Sequence, residues 1–269
     1  MNTVQTTTTT STPTQPAPQL TVRRSDERGR ADFGWLQGRH SFAFGHWRPR
    51  TALPHAYGFR TLRVINDDHI GPARDGGGFA PHPHHDMEII TYVTQGALAH
   101  ADSTGAKATI VPGDIQRMTA GRGIVHSEFN ASPTEPAHLL QIWIQPQQAG
   151  LTPGYAQINV PDTLKRNTLR LVGAPHDSNV PEGAIPLHTD ARLYAGVLDD
   201  GREAQIALAP GRHAWLQIVR GGVRVIARGA DGQSSEITLQ AGDGLAISDA
   251  HTVHTVSHGE SELLAFDLP

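Results

Sequence analysis

The chain has 269 residues with 28 glycines, 19 prolines and only 18% charged side chains, a balance that favours many short strands and tight turns over long surface helices. A formal net charge of −4 argues against a nucleic-acid surface. The complete lack of cysteine excludes disulfides, thiolate metal sites and cysteine nucleophiles, and fits the cytoplasm. Histidine is the outlier, at 16 copies.

Residues 1–19, MNTVQTTTTTSTPTQPAPQ, are Thr, Pro and Gln with little to bury, and they read as a disordered tail. They carry neither the apolar core of a signal peptide nor the arginines of a transit peptide. No apolar run approaches the ~20 residues that would span a bilayer, so a soluble protein without a membrane partner is expected. A first domain is expected over residues 20–145. Its runs FRTLRVI (59–65), MEIITYV (87–93), KATIV (107–111) and HLLQIWI (138–144) are rich in branched and aromatic residues and read as strands. DGGG, TQG, STG and VPGD punctuate them.

Residues 146–190, rich in proline, read as a connector that wraps one lobe onto the other. A second β-rich domain is expected over residues 191–269, from ARLYAGVL to ELLAFDL. The two halves share a faint pattern: YVTQGALAHADSTGAKATIVPGD in the first, QIVRGGVRVIARGADGQSSEITLQAGD in the second. Each is a strand, a glycine turn, a strand, a second turn and a strand that ends in x-Gly-Asp, the mark of a duplicated β-barrel.

The stretch PHPHHDMEIITY (81–92) spends polar residues where a strand would be apolar. With period-two geometry, His82, His84, Glu88, Ile90 and Tyr92 share one face. Downstream, in GRGIVHSEFN, His126 and Glu128 are also two apart. Three imidazoles and a carboxylate form a nitrogen and oxygen site suited to Fe, Mn, Co, Ni, Cu or Zn. Without an ion, two close carboxylates inside a barrel repel and tend to protonate. A lone His-x-His is more often turn or surface chemistry, but two such pairs on strands of one β-rich chain favour a metal site.

The same residues resemble the cupin motifs, and more narrowly the pirin family. WLQGRHSFAFGHW, LRVINDD, HPHHDMEIITYV, MTAGRGIVHSE and QIWI match it in order, and the likeness runs from about residue 22 to 269, strongest before 160. The resemblance implies an all-β fold of two cupin-type barrels in tandem, a bicupin of double-stranded β-helix or jelly-roll type. It implies His82, His84, His126 and Glu128 as the metal ligands, with Fe(II) the usual ion. The general cupin pattern would instead use Glu88 as the acid. Since both acids share a face with their histidines, the alternative stays open, with Glu88 otherwise orienting a ligand or water from behind. The second barrel resembles a cupin that has lost its site: Ala207 and Ala209 fall where His82 and His84 stand, and His213, His251 and His254 lack partners and read as structural.

Bacterial pirins are associated with quercetin 2,3-dioxygenase activity, so the resemblance implies a flavonol and dioxygen as substrates, with Glu128 or Glu88 as the base. Phe42, Phe44, Trp47, Phe79, Ile90, Tyr92, Met118 and Trp143 are the candidate pocket lining, though strand residues of these types more often fill core. His40 and His46 are expected to hold a loop against the barrel. Two alternatives come with the family: a redox-responsive regulator acting through protein contacts, and a cupin enzyme on another small molecule.

Overall fold

Apolar strands of period two, each cut short by a glycine or Asp turn, build the molecule. The computed structural model describes residues 16–48 and 53–269. Residues 1–15 of the expected tail lie outside the described residues. Gln19 already opens strand β1 (Gln19–Arg23).

The first barrel uses β2 (Gly29–Asp32), β3 (Leu36–His40), β4 (Leu62–Ile70), β5 (Gly78–His84), β6 (Glu88–Gln95) and β7 (Leu98–Asp102). It continues with β8 (Lys107–Ile110), β9 (Asp114–Thr119), β10 (Ile124–Asn130), β11 (Ala137–Ile144) and β12 (Gly154–Asn159). A seven-stranded sheet in the order β12-β9-β6-β11-β4-β3-β2 faces a four-stranded sheet in the order β5-β10-β7-β8. The second barrel uses β13 (Arg170–Pro175), β14 (Ile185–Leu187), β15 (Arg192–Leu198), β16 (Glu203–Ala207) and β17 (His213–Arg228), then β18 (Ser234–Gln240), β19 (Gly244–Ser248) and β20 (Thr252–Leu268). No helix among the described residues is long and apolar enough to cross a membrane.

Two boundaries differ from the sequence reading. Strand β1 pairs with β19 of the second barrel, because Leu20 and Val22 pack their side chains into that barrel's core. The expected connector also contributes three strands: β12 extends the first barrel beside β9, while β13 and β14 belong to the second.

The opening His-rich stretch is not one strand. It turns a corner at Asp86, whose φ of 49° breaks the extended backbone between β5 and β6. Asp86 N–H donates to the Gly121 carbonyl at 2.8 Å, and Asp86 Oδ1 accepts from Gly150 N–H at 2.7 Å, which pins the corner. Parity does not carry across it. Ile90 and Tyr92 face the second barrel, in the largest apolar cluster, with Leu140, Ile142, Leu193, Trp215 and Phe266. That strand is buried on both faces from Glu88 to Val93, so branched and aromatic residues occupy both of its faces.

Beneath this interface lies a buried polar knot. Lys165, on the short helix α1 (Asp162–Lys165), is 2% exposed and donates to Tyr92 Oη at 2.5 Å. Tyr92 donates to Glu262, which also pairs with Arg220 at 3.0 Å. A buried ammonium survives only with such partners.

The duplication is visible in the turns. Gly96 and Gly221 both adopt a φ of 72°. Both x-Gly-Asp turns are closed alike: Asp114 accepts from Val111 N–H at 3.0 Å, and Asp243 from Gln240 N–H at 3.1 Å. The interior differs. The second barrel is filled by Leu198, Leu216, Val223, Val225, Leu239 and their neighbours.

Gly96→Ala should be costly, since the added Cβ would lie 2.6 Å from the Pro136 carbonyl oxygen in a left-handed backbone. Gly105→Ala, with a φ of 94° and nothing within 4 Å, meets only the backbone term. We expect losses of about 2–4 kcal/mol and about 1–2 kcal/mol respectively in urea unfolding. Equal losses would show that the contact at Gly96 relaxes freely.

Candidate metal centre

Strands β5 and β10 run antiparallel, and their register sets His126 directly opposite His82. His84 follows two residues later on the same face. The three rings converge, with centroids 4.4 Å apart for His82 and His126, 4.8 Å for His82 and His84, and 4.8 Å for His84 and His126. One ligand atom from each lies within 4.8 Å of the others. His82 Nδ1 sits 2.8 Å from the Ala80 carbonyl oxygen. A carbonyl only accepts, so Nδ1 carries the proton and the Nε2 lone pair is left for a ligand role.

His126 is 2% exposed, yet neither ring nitrogen has a hydrogen-bond partner. Burial, then the neighbouring imidazoles His82, His84 and His100, lowers its pKa to about 3; burial, then His82 and His85, lowers His84 to about 4. Both are therefore neutral at pH 7, as metal ligands must be.

The register of β10 against β5 shifts between His126 and Glu128. Glu128 is 2% exposed and forms a second group of potential ligands with His126 and His100. Its Oε2 accepts from Gln141 Nε2 at 2.7 Å, yet burial pushes its pKa up to about 7. An orphaned imidazole beside two further histidines and a destabilised carboxylate is a donor set that fits a divalent transition ion.

His100 escaped the sequence reading. It lies on β7 opposite Glu128, and its Nε2 donates to Asp102 Oδ2 at 3.1 Å. Its ring stands 5.3 Å from His126 and 5.0 Å from Tyr155. Only the β7–β10 register, which spacing does not reveal, brings it to the site.

Glu88 does not join the cluster. The corner at Asp86 turns it toward the second barrel, where Oε2 accepts His188 N–H at 3.1 Å and lies 3.9 Å from Arg117 Nε. A third group, Asp67, His69 and His138, is closed by its own contacts. His138 Nε2 meets Asp67 Oδ1 at 2.6 Å, its Nδ1 meets Thr94 Oγ1 at 2.7 Å, and Asp67 Oδ2 accepts from Arg28 at 2.9 Å. Among the described residues, no such group lies in the second barrel. There His213 Nδ1 is bound to Ser248 Oγ at 2.8 Å, and His251 is exposed.

A cavity of about 190 Å³ opens beside the histidines, lined among others by Phe44, Phe79, Trp143, Asp68, Glu128 and Gln141. Of the aromatic candidates, Phe44, Phe79 and Trp143 line it, with the Trp143 ring 4.9 Å from His84 and 5.5 Å from Phe44. Phe42 packs on Trp215, Ile90 and Tyr92 belong to the interface between barrels, and Met118 packs with Ile89, Ala120 and Ile124. Trp47 stands behind His40, 6.5 Å away. His40 lines the cavity, beyond the loop-holding role expected of it, whereas His46 is exposed. Asp68 is carried up to about 8 by burial, then by the charges of Asp67 and Glu128.

Comparison with known proteins places this geometry. A family model described as Pirin matches residues 21–144, and one described as Quercetinase C-terminal cupin domain matches residues 174–268. A quercetin 2,3-dioxygenase of Escherichia coli K12 is 39% identical over 92% of this chain and 98% of its own length. A putative quercetin 2,3-dioxygenase of Zymomonas mobilis is 36% identical over 88% and 92%. The crystal structure of the bacterial pirin YhhW in complex with nickel(II), from Escherichia coli, superposes with a TM-score of 0.80 at 39% identity, covering 93% of this chain and 99% of that one. With two cupin barrels, a histidine and carboxylate centre in the first and relatives matched over nearly their whole length, the chain belongs to the pirin family.

Proposed function

We propose that this protein is a flavonol dioxygenase of the quercetin 2,3-dioxygenase type, with its reaction centre at His82, His84, His126 and Glu128. The observation that carries the reading is His126, buried with both ring nitrogens unpartnered and packed against His82 and His84, which line an aromatic cavity. The names of the relatives support the same chemistry. Those four residues would hold a divalent ion, Fe(II) by the family resemblance, and the nickel complex of the relative supports a site tolerant of several ions. When bound, such an ion supplies Lewis acidity toward the substrate's 3-oxygen and access to dioxygen chemistry.

The chain's own residues do the rest. Phe44, Phe79 and Trp143 give the cavity flat apolar walls that take a polyphenol and exclude water. Glu128, its carboxylate beside the histidines, accepts the 3-hydroxyl proton. Gln141 fixes one oxygen of that carboxylate. Glu88 is engaged elsewhere and is not the base. In the overall conversion both atoms of dioxygen enter the product and the two ring bonds at C3 break. C3 leaves with its oxygen as carbon monoxide, and the proton held by Glu128 returns to the product. A lined cavity favours an enzyme over a regulator acting through surface contacts.

His82→Ala and Glu128→Gln should each lower bound metal to roughly a tenth of wild type or less, and abolish quercetin consumption with carbon monoxide release. Elemental analysis and gas detection check this. Wild-type metal content in both variants would refute the ligand set; metal-loaded protein without turnover would refute the reaction.

The carboxyls also give a pH signature. Glu128 and Asp68 have folded-state pKa values near 7 and 8, above those of an unfolded chain, so the stability they confer is present at low pH and lost as pH rises through these values. His84 and His126 act oppositely, but only below about pH 6.5. Between pH 6.5 and 8.5 the metal-free protein should therefore lose on the order of 1–3 kcal/mol in urea unfolding. The metal-loaded protein should lose less, because the ion takes the ionised carboxylate. Identical pH slopes with and without metal would remove Glu128 from the ligand set.

A further inference from the structure

The strand register lays a row of polar side chains across the inner face of the seven-stranded sheet. His40 pairs with Asn66, Asn66 with Gln141, Gln141 with Thr91, Thr91 with Gln116, and Gln116 with Gln157. One rung below Asn66 on β4 stands Asp68, opposite Gly38. A Cβ at Gly38 would fall 2.7 Å from Asp68 Oδ1 and 3.2 Å from His40 Nε2, so the absence of a side chain there keeps that wall open.

Besides Gln141, three members of this wall line the cavity: His40, Asn66 and Asp68. They are 6%, 2% and 4% exposed, and each presents a polar atom without a protein partner: His40 Nδ1, Asn66 Oδ1 and Asp68 Oδ1. In the rest of the row Gln141 and Gln157 are partnered, whereas Thr91 Oγ1 and Gln116 Oε1, on residues that do not line the cavity, also lack a partner. Gln141 holds Glu128 and accepts from Trp143 Nε1 at 3.2 Å, while Gln157 binds Asp114 and Tyr155. Buried polar atoms are satisfied in nearly all folded proteins, so three orphans converging on one cavity need a guest that satisfies them. Two of the three atoms are side-chain oxygens that accept, and Phe44, Phe79 and Trp143 around the same space suit a flat ring. An anion is disfavoured by Asp68 and Glu128.

We infer that His40, Asn66 and Asp68 form a subsite that reads the ring hydroxyls of the aromatic substrate, apart from the hydroxyl presented to the histidine centre. This rests on the flavonol reading and makes the enzyme selective for polyhydroxylated aromatics over bare ones. These residues position the substrate and take no part in bond making or breaking. Their loss removes recognition of the hydroxyls, while the aromatic walls still bind the ring.

The test compares quercetin with 3-hydroxyflavone, which share the 3-hydroxyl and differ only in hydroxyls on the flanking rings. Dissociation constants are measured by calorimetry on the nickel(II)-loaded full chain without oxygen, so that turnover plays no part. Wild type should bind quercetin at least about tenfold more tightly, and Asn66→Leu or Asp68→Leu should each shrink that ratio to about threefold or less. Affinity for 3-hydroxyflavone and nickel content should stay within about twofold. A ratio near one in wild type, a ratio unchanged in both variants, or an equal loss for both compounds overturns the subsite. Thermal unfolding is followed in parallel, and Asn66→Thr and His40→Phe repeat the comparison if a leucine variant fails to fold. If the ratio collapses as expected but aerobic, iron-loaded wild type consumes neither flavonol, the subsite stands and the proposed reaction falls.

Discussion

The structure turns on the burial of a polar band inside an otherwise apolar barrel. Its interior has one apolar cluster around Leu36, Ile70, Val93, Leu98 and Leu139, and another around Ile89, Met118, Ala120 and Ile124. The same barrel holds the candidate ligands His82, His84 and His126, with Glu128 and the transverse row of polar side chains. Each buried polar atom left unmatched costs about 1–3 kcal/mol, so the first barrel is a poor core by itself. The second barrel compensates: its core cluster is aliphatic, and the cluster between the barrels is the largest among the described residues. One duplicated fold thus appears twice, once filled for stability and once hollowed for chemistry.

The cost of the polar band also explains the state of the groups within it. Glu128 and Asp68 resist ionisation because little around them stabilises charge, and His126 stays neutral because protonation would crowd cations in a dry space. These strains are relieved together when a cation and a hydroxylated ligand occupy the site. Binding energy spent on such relief raises selectivity, because a guest that lacks the matching groups leaves the protein atoms unpaired.

Much of this was legible from spacing. His82 and His84 lie two apart on one strand and His126 and Glu128 two apart on another, so period two alone suggests two convergent pairs. The x-Gly-Asp turns marked the duplication, since Asp114 and Asp243 close identical turns. What could not be read was whatever depends on long-range register. His100 enters the site only through the pairing of β7 with β10, and the polar row needs the alignment of six strands. Glu88 was misplaced for a local reason: the left-handed Asp86 restarts the alternation, so counting parity through it gives the wrong face.

Strand β1 has a consequence for how the molecule is made. It is synthesised well before its partner β19, which spans Gly244–Ser248. At the usual elongation rate of about 5–20 residues per second, Leu20 and Val22 wait on the order of ten seconds or more before their seat in the second barrel exists. The first barrel can close meanwhile, since its sheets need nothing from β1. Docking of β1 is then a late fastening step, in which a strand that precedes the first barrel clasps the second and ties the two into one body.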